Sequence, residues 1–155
     1  MRALGLDVGS KTIGLARSDS EGLIASAWEV LERRGHESDA RAIIERVERE
    51  HFRHVVVGLP LELDGREGRR VRAVRRFLEV LEPKLAESSE PAIVHTWDER
   101  FSTAAAERTL LEADVSRSRR KQKIDSMAAQ FILQGWLDSR RSADDRESDG
   151  RADGT

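Results

Sequence analysis

The sequence contains no cysteine among its 155 residues. Without thiols the chain can form neither a disulfide framework nor a thiolate metal site. It also has no run of about 18 apolar residues that could span a membrane, and no basic-then-apolar leader. We therefore expect one soluble, cytoplasmic domain, because a chain of this length can bury one core but not two.

The charge of the chain is nearly balanced, with a formal net charge of -2. Such a balance does not by itself indicate a nucleic-acid-binding protein, so a polyanion site must come from local clusters of basic residues. Residues 139–155 are small, charged and aperiodic. This composition predicts a disordered charged tail after a domain that spans residues 1–138.

Short apolar segments separated by turns predict an antiparallel meander at the start of the chain. Its strands are predicted at Ala3–Val8, Thr12–Ser18 and Leu23–Leu31. Helical and strand patterns then alternate. They predict a helix at His36–His51, a strand at His54–Val57, a helix at Glu67–Leu85 and a strand at Ala92–Thr96.

The remaining elements are predicted to be helical. One helix is expected from Ser102 or Thr103 through Leu111, and the last at Gln122–Leu137, with a mobile connection at Glu112–Lys121. The element order predicts an α/β fold with a five-stranded mixed sheet. Three antiparallel strands are followed by parallel strands, and helices cover both faces.

Asp7 interrupts the first apolar strand and is followed by the turn Gly9-Ser10-Lys11. Burying an ionised carboxylate costs several kcal/mol unless a cation meets it. Asp7 is therefore either exposed at a sheet edge or held in place to bind a metal.

Further acids follow the last strand, as Asp98-Glu99, and open the last helix, as Asp125. Each has a local alternative: Asp125 could cap its helix, and the strand-end acids could be solvated. If the carboxylates converge, two of them about 4 Å apart repel by roughly 4 kcal/mol at an effective dielectric near 20. Divalent cations remove this repulsion. Oxygen ligands without histidine or cysteine favour Mg²⁺ or Mn²⁺ over zinc.

The alternation of strand residues places Asp98 on one face of the sheet with Val94, and Glu99 on the other with His95. Periodicity alone does not choose between these two acids.

Four motifs, in this order, resemble the YqgF family, also called RuvX, of Holliday junction resolvase-like pre-16S rRNA nucleases. They read LGLDVGSKTIGLA, VVVGLPLELDG, WDERFST and KIDSMAAQFIL. The resemblance covers residues 1–138. It implies an RNase H-like fold and a Mg²⁺- or Mn²⁺-dependent nuclease that is similar to RuvC resolvases. The family is associated with maturation of the 5′ end of 16S rRNA.

The resemblance also implies catalytic, metal-ligating roles for Asp7, Glu99 and Asp125, with Asp98 as the alternative to Glu99. The wider RNase H superfamily commonly carries an acid at the end of its fourth strand. Here that strand runs into Gly58-Leu59-Pro60 without one, so the neighbouring D-E-R segment must supply the ligand. The longer reach of glutamate and the family comparison favour Glu99.

Basic and hydroxyl side chains near these acids are candidates for substrate binding. A basic run leads directly into the helix that carries Asp125, where it could meet phosphates. The candidate residues are Lys11, Arg100, Ser102, Thr103, Arg117, Arg119, Arg120, Lys121 and Lys123. By contrast, we interpret Arg69, Arg72 and Arg76 as a solvated helix face.

The expected partner is nucleic acid, with precursor rRNA favoured over branched DNA, together with ribosomal precursor particles and no membrane. The chain would act as a monomer or homodimer. Three alternatives compete with an rRNA nuclease: a resolvase that cuts four-way DNA as a dimer, a non-catalytic RNA- or ribosome-binding protein, and an actin-like ATPase or sugar-kinase module. The last is disfavoured because such enzymes enclose a nucleotide between two domains.

Overall fold

A single mixed sheet forms the centre of the protein. The computed structural model describes the backbone of residues 2–101 and 117–152, and the side chains of residues 2–101 and 126–147. Its strands are β1 (Ala3–Val8), β2 (Thr12–Ser18), β3 (Ala25–Glu32), β4 (His54–Leu59) and β5 (Ile93–Asp98). They lie in the order β3-β2-β1-β4-β5. The first three strands pair antiparallel, and β4 is parallel to β1 and β5. The predicted fold class is confirmed.

Helices cover both faces of this sheet. They are α1 (His36–Glu50), α2 (Arg69–Glu87), a short 3₁₀ helix (Glu99–Phe101) and α3 (Arg117–Ala152). α1 and α2 pack on one face, where the core includes Leu4, Leu6 and Val57. α3 packs on the other, against Ala3 and Val56. β4 is buried along its whole length, as its continuous apolar sequence predicts for a strand covered on both faces.

Helix α3 differs most from the prediction. It begins at Arg117 and ends at Ala152. Its backbone is helical at 117–121, within the mobile connection predicted at Glu112–Lys121, and at 139–152, within the disordered tail predicted at 139–155. Residues 141–147 are exposed, and local contacts such as the Asp138–Arg141 ion pair at 2.5 Å support the helix. Because these residues are exposed, their sequence needs no periodic apolar face to form a helix. The division into a domain and a tail stays a prediction.

The helix predicted from Ser102 or Thr103 to Leu111, and the segment that follows it as far as Ser116, lie outside the described residues. None of the helices in the described part of the chain is long and apolar enough to cross a membrane.

Two histidines pack together at the edge of the sheet where β4 and β5 begin. His54 Nδ1 lies 2.8 Å from His95 Nε2, and both rings pack against Trp136 of α3. Arg140 Nη1 lies 3.4 Å from His54 Nε2. His54 is only 9% exposed. Burial, with the positive charge of Arg140 and the neighbouring His95, lowers the pKa of His54 from 6.5 to about 4. Burial and Arg140 also lower the pKa of His95.

This lowered pKa predicts a loss of stability in mild acid. Below pH 6.5 the histidine of the unfolded chain binds a proton, whereas folded His54 stays neutral until about pH 4. The stabilisation is therefore complete above pH 6.5 and decreases as the pH falls from 6.5 to about 4. We expect the contribution of His54 to the free energy of unfolding to fall by about 2 kcal/mol between pH 7.5 and 5.0. Urea denaturation at the two pH values measures it.

The variant His54→Gln should lose much of this pH dependence. The matched control is His51→Gln, which replaces an exposed histidine beside Glu90 and leaves the His54 cluster unchanged. Equal pH dependence in wild type and His54→Gln would contradict the account.

Candidate active site

Asp7 lies near the end of β1, on the face that α3 covers. Ala3 and Gly5 precede it on that face, since side chains alternate along a strand. A Cβ on Gly5 would stand 2.7 Å from Leu133 Cβ and 3.0 Å from the Ala129 carbonyl oxygen. The helix therefore lies directly on β1, and Asp7 is half-buried one position further along this face.

Glu99 follows β5 and lies on the same face of the sheet. A Cβ on Gly58 would stand 2.8 Å from Glu99 Oε1 and 2.5 Å from Ile132 Cδ1. The Glu99 carboxylate thus lies against β4 at a position where the chain has no side chain. Because Leu6 pairs with Val57 in the parallel β1–β4 ladder, the next residues, Asp7 and Gly58, are neighbours across it. Glu99 therefore reaches the backbone beside Asp7.

Asp98 occupies the opposite face. Its register partner is Leu59, which belongs to the core beneath α1 and α2. The Asp98 carboxylate accepts hydrogen bonds from the Arg100 backbone N–H at 2.9 Å and from Arg100 Nη2 at 2.6 Å. These bonds with Arg100 lower the pKa of Asp98. Arg100 Nη1 also donates to the Leu63 carbonyl at 3.4 Å, so this pair holds the loop between β4 and α2.

Asp125 lies within α3, but its side chain is outside the described residues. Ala128, Ala129 and Ile132 are buried against the sheet and follow Asp125 by three, four and seven positions, so Asp125 belongs to the same helix face. Trp136 packs against His54 at the start of β4, which means that α3 runs antiparallel to β4. The helix backbone therefore carries Asp125 toward the edge where β1 and β4 end.

Among the side chains that the structure describes, no group of three acids or histidines could hold a metal ion. Asp125 is not one of these side chains. The structure thus brings Asp7 and Glu99 to one edge and separates Asp98 from them.

The predicted substrate-binding residues are only partly described. Lys11 is exposed in the turn after β1, and Arg100 is engaged by Asp98 and the loop. Ser102 and Thr103 lie outside the described residues. The basic run lies in the helical backbone of α3, and its side chains are not described: Arg117, Arg119, Arg120, Lys121 and Lys123.

The sequence analysis missed a buried ion pair that supports the turn after Asp7. Arg33 Nε lies 2.8 Å from Asp39 Oδ2, and Arg33 Nη1 donates to the Gly9 carbonyl at 2.7 Å. Burial opposes ionisation of Asp39, but the hydrogen bonds from Arg33 and the Arg34 and Gly35 N–H groups outweigh it and lower its pKa. The only local signal was an acid in the first turn of a helix, which is common at any helix start.

Comparison with known proteins identifies the family. Residues 1–139 match a family described as "RuvX: Holliday junction resolvase". The chain belongs to the RuvX family. A relative from Myxococcus xanthus (strain DK1622), named "Putative pre-16S rRNA nuclease", is 50% identical over 144 residues, covering 93% of this chain and 92% of the relative. One of the same name from Symbiobacterium thermophilum is 51% identical over 140 residues, covering 90% and 94%. The expected membership of a nuclease family is confirmed.

Solved structures of resolvases share the fold of this RuvX protein. Thermus thermophilus RuvC in complex with a Holliday junction substrate superposes with a TM-score of 0.59 at 16% identity, covering 91% of this chain and 96% of RuvC. The Fowlpox virus resolvase in complex with Holliday junction DNA gives a TM-score of 0.56 at 10% identity, covering 90% and 98%. At these identities the likeness concerns the fold alone.

The two glycines beneath α3 predict different costs for an added methyl group. In Gly5→Ala the methyl meets helix backbone and a Cβ, which cannot move without the helix, so we expect a loss of about 1–3 kcal/mol. In Gly58→Ala it meets the ends of two longer side chains, which can turn away, and the loss should stay below about 1 kcal/mol. Urea denaturation of both variants measures the difference. Equal losses would contradict the described packing.

Proposed function

We propose that this chain is a divalent-metal-dependent nuclease that hydrolyses phosphodiester bonds and processes the 5′ end of precursor 16S rRNA in the bacterial cytoplasm. The observation that carries the proposal is the position of the Glu99 carboxylate against Gly58, which is the β4 neighbour of Asp7, on the face where α3 brings the backbone of Asp125. Membership of the RuvX family and the names of its relatives support the choice of substrate.

The residues at this edge fit a hard divalent cation. Asp7, Glu99 and Asp125 would hold it through carboxylate oxygens, which suit Mg²⁺ or Mn²⁺. Gly58 leaves space for the Glu99 carboxylate, because a side chain at position 58 would collide with it. Divalent ions bound there would supply activation of a water molecule and stabilisation of the leaving oxygen of a phosphodiester.

Other residues of the chain would position the substrate and the site. Asp98 fixes Arg100, and Arg100 holds the loop after β4 through the Leu63 carbonyl. Arg33 fixes the turn that carries Lys11, whose exposed ammonium group can contact a phosphate beside Asp7. Ser102 and Thr103 stay proposed substrate contacts.

Cleavage of precursor rRNA in the presence of Mg²⁺ or Mn²⁺ tests the catalytic assignment. Asp7→Asn and Glu99→Gln should each lower the rate roughly 100-fold or more, since each removes a ligand from a site that supplies several kcal/mol to the transition state. The matched control is Asp98→Asn, which lies one residue from Glu99 but on the other face and should lose far less. Equal inactivity of wild type and Asp7→Asn would instead favour a non-catalytic RNA-binding protein.

The basic run at the start of α3 has its own test. Replacing Arg117, Arg120 and Lys121 with glutamine should weaken RNA binding and reduce its salt dependence, because fewer counterions are released. Circular dichroism should show intact folding. An unchanged affinity and salt slope would remove these residues from the site.

Holliday junction resolution is the second candidate, favoured by the description of the matching family. It would give paired, symmetric nicks in four-way DNA and would require a dimer. The same preparations, assayed on a labelled four-way junction, separate the two activities. Preferential cleavage of precursor rRNA supports the proposal. Symmetric cleavage of the junction without cleavage of the rRNA overturns it.

A further inference from the structure

A groove of about 700 Å³ opens on the α1 and α2 side of the sheet and reaches the edge where β1 ends, with Asp7 among the residues that line it. The turn after β1, the start of α1 and the first turns of α2 line it. Its basic side chains are Lys11, Arg33, His36, Arg69, Arg70 and Arg76. Among the described residues that line it, Asp7 is the one acid. Arg33 is neutralised by Asp39, so Lys11, Arg69, Arg70 and Arg76 supply the excess of positive charge in the groove.

The arginines of α2 differ in their pairing. Arg75 forms an ion pair with Glu67, and Arg72 donates to the Glu67 carbonyl at 3.2 Å; neither lines the groove. Arg69, Arg70 and Arg76 do line it. Within the described part of the chain, the structure gives these three no ion pair. Among the described residues, the α2 arginines that line the groove are therefore those with no ion pair.

The start of α2 adds to this excess. Its first turn contains no acid and its N-cap, Gly68, makes no side-chain cap, whereas the first turn of α1 contains Glu37 and Asp39. Positive side chains at the positive end of a helix dipole are unfavourable. A bound anion would relieve this repulsion between the helix end and Arg69 and Arg70.

We propose that this groove binds the sugar-phosphate backbone of single-stranded RNA next to the scissile phosphate. The inference rests on the proposed function, because Asp7 is one of the residues that line the groove. A cavity of this volume has the size of a site for one small ligand, so it can take a few nucleotides of one strand. Arg69 and Arg76 then belong to the substrate site and not to the solvated face expected from the sequence.

The test compares two triple variants of the full chain. The groove variant carries Arg69→Gln, Arg70→Gln and Arg76→Gln. The control carries Arg49→Gln, Arg53→Gln and Arg146→Gln, which removes the same charge from exposed positions outside the groove. Fluorescence anisotropy with a labelled single-stranded fragment of precursor rRNA, without divalent metal so that the RNA stays intact, measures affinity at several salt concentrations.

The groove variant should bind at least about tenfold more weakly, and its salt slope should fall by about 2, because each lost phosphate contact on a single strand contributes roughly 0.7. The control should bind nearly as wild type does. Wild-type affinity and slope in the groove variant, or equal losses in both variants, would overturn the proposal. A double variant with Lys11→Gln and Arg76→Gln leaves the first turn of α2 unchanged and should also weaken binding. It tests the proposal even if the triple variant does not fold.

Two parallel measurements separate this inference from the proposed function. If wild type cleaves precursor rRNA and the groove variant binds RNA as wild type does, the groove proposal is wrong and the nuclease proposal stands. If wild type does not cleave rRNA but the groove variant still binds RNA more weakly, the groove proposal stands and the nuclease proposal is wrong. Single-stranded DNA of the same sequence should lose affinity in the groove variant as RNA does, and a groove that binds DNA but not RNA would contradict the proposed occupant.

Discussion

The close approach of α3 to the centre of the sheet is the constraint on which the rest of the structure depends. Gly5 provides most of it, because a Cβ there would stand 2.7 Å from Leu133 Cβ and 3.0 Å from the Ala129 carbonyl oxygen of the helix. Gly135 does the same from the helix side, where a Cβ would lie 3.1 Å from Trp97 Nε1. Contacts this close leave α3 little freedom to slide, so they fix its register and bring the backbone of Asp125 toward the edge that carries Asp7.

Two adjacent acids, Asp98 at the end of β5 and Glu99 at the start of the 3₁₀ helix, have different tasks. Asp98 faces the α1 and α2 side and holds Arg100 and the loop after β4. Glu99 faces α3, where the missing side chain of Gly58 leaves space for its carboxylate. A chain that lacks an acid at the end of β4 can therefore still place a carboxylate there, from the next strand. We regard this substitution as the structural basis of the proposed metal site.

Local patterns in the sequence predicted the sheet, its order of elements and the family, because these depend on alternation, apolar runs and ordered motifs. Features that depend on distant contacts were missed. The pairing of Arg33 with Gly9 joins residues that no local pattern relates. Nothing in the repeat of α2 distinguishes Arg76, in the groove, from Arg72, outside it. The helix after Leu137 was missed for another reason: an exposed helix needs no apolar face, and periodicity is the signal by which helices are predicted.

The central claim is that Asp7, Glu99 and Asp125 share divalent cations at the edge where β1 and β4 end. Anomalous diffraction from a crystal grown with Mn²⁺ tests it most directly, because manganese can be located independently of the protein atoms. The account predicts an anomalous peak in contact with the carboxylates of all three residues, and none at Asp98. A peak elsewhere, or an Asp125 carboxylate facing away from Asp7 and Glu99, would contradict it.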